Sequence, residues 1–127
     1  MILVSLLLNI LVLIPVVAVL VLSTRRGIDA RARFPWGVRT PARDILLAIY
    51  VSILVVSIAL LVAVAVSGPS LVIESAAVAL FAVQIVYKVL TAILVRDALR
   101  NPVVLSNLGI AAVHAVTVAT LAPALLA

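Results

Sequence analysis

Residues 68–100 read GPSLVIESAAVALFAVQIVYKVLTAILVRDALR, and this stretch decides the fold. It opens on Gly68-Pro69-Ser70, a chain reversal without charge. From Leu71 to Val95 only Glu74 and Lys88 are charged. It closes on Arg96-Asp97-Ala98-Leu99-Arg100, where charge returns. About 20 apolar residues in a helix cross the hydrocarbon core of a bilayer, and basic residues gather on the cytoplasmic side. The stretch therefore reads as a membrane span with its C-terminal end in the cytoplasm.

The rest of the chain follows the same rule. Ile2–Leu22 is uncharged and apolar, Ile45–Ser67 repeats the pattern, and Val103–Leu126 gives a fourth span. The first span has neither a basic leader nor a small-residue cleavage site, so it is expected to be an anchor and not a signal peptide. Pro15 within it removes one backbone hydrogen bond, which predicts a mild kink. Thr40-Pro41 and Asn101-Pro102 are helix starts: the first residue caps and the proline at N1 has no N–H to leave unsatisfied. Asp44 and Glu74 fall in first turns, where the helix dipole favours a carboxylate.

Composition agrees. Of 127 residues, 68% are apolar and 10% are charged, and the mean hydropathy is +1.51. An ordinary soluble domain is roughly 45–50% apolar and 25% charged. This chain lacks the polar side chains to cover a water-exposed surface. Soluble, disordered and coiled-coil classes are excluded, and so is a disulfide scaffold, because there is no cysteine. The expected fold is an all-α integral membrane bundle of four transmembrane helices in one domain.

Charge sets the expected orientation. The net charge is +5, and eight of the nine basic residues lie in two connections. Arg25, Arg26, Arg31, Arg33, Arg39 and Arg43 occupy the loop around residues 23–43, and Arg96 and Arg100 occupy the turn after the third span. The Gly68-Pro69-Ser70 loop carries none. Both basic loops are then cytoplasmic and both termini face outward. The six loop arginines and Trp36, in the turn Phe34-Pro35-Trp36-Gly37, are expected to contact the headgroups of anionic lipids. No nucleic-acid partner is expected, since the loop has neither a folded module nor a stacking platform. The bias towards Arg, Ala, Val and Leu suggests a bacterial inner membrane.

The informative residues are the polar ones inside the spans, because such groups are costly in lipid and turn inward. At about 100° per residue, Glu74, Ala77, Phe81, Gln84, Lys88 and Thr91 share one stripe of the third span. Asn107, Ala111 and His114 share a face of the fourth. Gln84 lies 11 residues from Val95 and His114 lies 11 residues from Val103, so both sit about 16 Å from the basic end at 1.5 Å per residue. Lys88 and Asn107 sit about 10 and 6 Å from it. The candidate intramembrane cluster is thus Gln84 beside His114 and Lys88 near Asn107. The favoured single-residue readings are plainer. Lys88 snorkels to the headgroups, His114 and Asn9 make interhelical hydrogen bonds, Glu74 sits at the outer interface, and Arg96 and Arg100 belong to a solvated turn.

Chemistry that needs more groups is not expected. His114 is the sole histidine and Met1 the sole methionine, so neither a bis-histidine haem nor a metal site is predicted. No second titratable group stands near His114 to make a nucleophile–base pair, so the chain is not expected to be an enzyme. No cofactor is expected. The first expectation for function is an accessory, assembly or scaffold subunit of a membrane complex. The alternative is an oligomeric transport component for protons, ions or small solutes, using the polar stripe of the third and fourth spans. Either implies a partner in the bilayer, other membrane subunits or further copies of this chain. The Ala59/Ala63/Ser67 and Ala111/Ala115/Ala119 ladders would let a neighbouring helix approach closely.

Overall fold

Four helices run up and down in sequence, with each inward face built on a repeat of three and four residues. The structure is a computed structural model and describes residues 1–25 and 40–126. The helices are α1 (Ile2–Arg25), α2 (Pro41–Ser67), α3 (Leu71–Leu94) and α4 (Pro102–Leu126). A 3-10 turn, Ala98–Arg100, joins the last two. All four helices are long and apolar enough to cross a membrane. The predicted spans fall within them, give or take a residue at the ends.

The helix ends form as the sequence requires. The Thr40 hydroxyl accepts from the Arg43 N–H, with Pro41 opening the helix. The Ser70 hydroxyl accepts from the Ile73 N–H. Asn101 Oδ1 accepts from the Val103 N–H at 2.9 Å, ahead of which Pro102 has no N–H to satisfy. Gly68 ends α2 at φ 73°, a backbone conformation that L side chains resist. Asp97 adopts the left-handed conformation (φ 55°) to start the 3-10 turn; aspartate tolerates that region better than most residues.

Buried positions recur at alternating steps of three and four. They include Leu6, Asn9, Leu13 and Leu20 on α1, and Tyr50, Ile53 and Ser57 on α2. On α3 they are Ala77, Phe81, Gln84 and Lys88, and on α4 Val104, Asn107, Ala111 and His114. Such a 3.5-residue repeat keeps one seam of each helix facing its neighbours. The remaining faces are Val, Leu, Ile and Ala and lie exposed on the outside, as lipid requires.

Along the axis the interior has three layers. Ile2, Leu6, Ala77 and Phe81 form an apolar cluster at one end, backed by Leu60, Leu61, Val64, Val118 and Leu121. Leu13, Leu20, Tyr50 and Ile53 form another towards the basic end, backed by Leu46, Leu47 and Tyr87 among others. Between and among them all four helices contribute polar side chains: Asn9, Ser57, Gln84 and His114 form a polar middle, Ser5 lies between Ile2 and Leu6, and Lys88 lies beside Tyr87.

Candidate functional site

The polar middle divides into two parts. The first centres on His114, which has no exposed surface. Its Nε2 lies 2.9 Å from Asn9 Oδ1 and its Nδ1 lies 3.1 Å from Ser5 Oγ. An amide oxygen only accepts, so Nε2 carries the proton in that bond. In the neutral ring Nδ1 then accepts from the Ser5 hydroxyl. Ser5 Oγ lies 2.8 Å from Thr117 Oγ1, which completes its bonding. Asn9 Nδ2 donates to Ser57 Oγ at 3.1 Å, drawing in α2. The Phe81 ring of α3 stacks on the imidazole with centroids 4.7 Å apart and planes at 18°. Every helix touches this network, and both ring nitrogens of His114 have partners.

The second part centres on Lys88, two helical turns (about 10 Å) nearer the basic end. Its side chain is 3% exposed. Nζ donates to Asn107 Oδ1 at 3.1 Å and lies 4.8 Å from the Tyr87 ring centroid. An ammonium has three donors, and among the described residues Asn107 receives one of them. No carboxylate among those residues pairs with it. Glu74 stands 14 residues away, about 21 Å along the same helix. Gln84, one turn from Lys88 and 1% exposed, has an amide Nε2 with no hydrogen-bond partner among the described residues.

These groups line a cavity of about 280 Å³. Asn9 and Leu13 of α1, Gln84 and Lys88 of α3, and Asn107 and Ile110 of α4 form most of its wall. It extends to Ser106 and Pro102, which are exposed on α4. A second cavity of about 200 Å³ continues towards the basic end, lined by Tyr87, Thr91, Val95 and Asn101. The two share Tyr50, Val103 and Asn107 as walls. The Tyr87 hydroxyl, on the second cavity's wall, is the other buried side-chain atom without a partner among the described residues. In the opposite direction the way is filled by the fully buried Leu6, Ala77 and Phe81.

Two expectations change. Lys88 does not snorkel; it turns inward because Asn107 offers an acceptor at its own depth. Gln84 does not bond to His114. Counting from the predicted span ends misses the register: Phe81 stands opposite His114, Gln84 lies three residues nearer the basic end, and Asn9 and Ser5 of α1 take both imidazole nitrogens. Lys88 and Asn107 do meet, as their depths suggest. Asn9 is an interhelical hydrogen bonder, and Glu74 occupies the first turn of α3. Arg43 is buried at the start of α2, Arg25 closes α1, and Arg26, Arg31, Arg33, Trp36 and Arg39 lie outside the described residues. Ser5, Ser57 and Thr117 escape a reading based on ionisable and amide groups. Their signal was spacing: Ser5 is four residues before Asn9 and Thr117 three after His114, each on the same face as its neighbour.

No family model matches the chain, and neither a curated protein nor a solved structure shows significant similarity to it. The reading of the site rests on its own geometry.

Proposed function

We propose that this chain is a transport component of a bacterial inner membrane, taking a small solute into its interior from the basic, cytoplasmic end. Both termini then face outward, and anionic lipids hold the arginine loop. One observation carries this reading: the buried Lys88 and Gln84 line a cavity and keep hydrogen-bond donors that no described residue uses. Buried polar groups in membrane proteins normally find partners, and those left without one mark a ligand or ion path. The adjoining second cavity supplies a route from the basic end, and the Leu6–Phe81 cluster closes the far side. That is one-sided access, and a full path would need a second conformation or further copies of the chain.

The chain has no cysteine, so single-cysteine variants test this directly. Ser106→Cys, on the cavity wall, should react with a small water-soluble thiol reagent in membranes. Val83→Cys, 66% exposed on the outer face of α3, should not. Equal rates at the two positions would contradict a solute-accessible interior.

A second reading is an accessory, assembly or scaffold subunit of a larger membrane complex. The outer face of α2 supports it, where Ala59 and Ser67 of the small-residue ladder are exposed and would admit a close helix. An oligomeric mass in mild detergent that is unchanged by Ala59→Leu would count against it.

A further inference from the structure

We propose that the cavity between α1 and α4 binds a small monoanionic carboxylic acid, its carboxylate on Lys88 and Gln84 and its apolar body against Leu13 and Ile110. The proposal rests on reading this cavity as a solute site and names the class of solute.

Charge comes first. Lys88 is a buried ammonium with no carboxylate partner among the described residues, and an uncompensated charge in a low-dielectric interior calls for a counter-charge. Its bond to Asn107 and its place beside the Tyr87 ring solvate it only in part. Two further features have the same sign. Gln84 carries, on the same wall, an amide N–H with no partner among the described residues. Pro102 and Val103, the first residues of the 25-residue α4, also line the cavity, which places it beside the first turn of that helix, where the dipole favours negative charge. All three favour an anion.

The remaining wall selects among anions. Val12, Leu13, Val16 and Ile110 are apolar, so a bare inorganic ion would leave most of the space facing hydrocarbon. A cavity of about 280 Å³ matches about nine waters at ~30 Å³ each, or one compact organic molecule. One ammonium and one amide balance a single negative charge, whereas a phosphate monoester carries nearly two and favours arginine forks. A monocarboxylate with an apolar body of fewer than ten atoms satisfies both the charged corner and the apolar wall. Such an acid reaches the cavity either from water at the basic end or from the bilayer, past the exposed Ser106.

The test is equilibrium binding of radiolabelled benzoate to the full chain in lipid nanodiscs, with empty nanodiscs as background. Saturable binding is expected, with Lys88→Met weakening it at least tenfold and Gln84→Leu about threefold. Benzyl alcohol, which keeps the ring and lacks the charge, should compete at least tenfold more weakly than unlabelled benzoate. Inorganic phosphate should compete no better than benzyl alcohol. Ile110→Trp fills the cavity while leaving Lys88 in place, and it should abolish binding without unfolding the bundle. Octanoate, whose apolar body is within the size that the cavity admits and which partitions into lipid, should compete more strongly than unlabelled benzoate if the acid arrives from the bilayer and no better if it arrives from water; the carboxylate site stands in both cases. Unchanged binding in Lys88→Met, equal competition by benzyl alcohol, or no saturable binding to folded protein would overturn the proposal. If benzoate fails while Ser106→Cys still reacts with the thiol reagent, the solute is of another class and the transport reading survives. If both fail, neither reading holds.

Discussion

The two ionisable side chains at the centre of the bundle are buried to almost the same degree and are treated in opposite ways. His114 has a partner on each nitrogen and an aromatic ring on its face. Lys88 has one amide oxygen and a cavity. A fully satisfied polar network ties helices together and specifies one arrangement. A partly satisfied one destabilises the fold unless something else completes it. The difference separates a structural centre from a functional one within about 10 Å, although each began as the same kind of anomaly, a polar residue in an apolar span.

Breaking the structural half should have the largest effect. His114→Ala removes two hydrogen bonds, strands the Asn9 and Ser5 groups and deprives Phe81 of its stacking partner. A loss of about 3 kcal/mol is expected, combining unsatisfied buried groups with a lost ring contact. Reversible unfolding in bicelles measures it, and a loss below about 1 kcal/mol would show that the network does not hold the helices. The same substitution should leave benzoate binding within a few-fold of normal, because His114 does not line the cavity.

Changing the functional half should cost little. Lys88→Met replaces a buried, half-solvated charge with an apolar chain of similar length. Relief of the buried charge offsets the bond lost to Asn107, so stability should stay within about 1 kcal/mol. A large destabilisation by Lys88→Met, comparable with that of His114→Ala, would erase the distinction between the two centres.

Much of this arrangement is written in the residues themselves. The spans follow from apolar length, the helix starts from Thr40-Pro41 and Asn101-Pro102, and the Lys88–Asn107 pair from depth. What stays hidden is the direction in which hydroxyls face. Ser52, Ser75 and Thr91 bond to carbonyls one turn back in their own helices, at Ala48, Leu71 and Tyr87. Ser57 and Ser5 bond across helices instead. A hydroxyl can satisfy itself locally, so its presence in a span does not reveal its role. Only the helical face does, and Ser57 can be placed by its step of seven from Tyr50, along the α2 seam. The Gln84 position has a related cause: periodicity turns it inward, but the partner it lacks depends on how α1 docks, which no single helix encodes.

Thiol reactivity at a position on the cavity rim and at a buried one decides whether the polar middle is divided in this way. Ser106→Cys lies on the cavity wall, and Thr117→Cys lies in the closed His114 network, both on α4. With a small water-soluble reagent in intact membranes, Ser106→Cys should react at least tenfold faster than Thr117→Cys. Equal rates, or faster reaction at Thr117→Cys, would contradict an interior that is closed at His114 and open at Lys88.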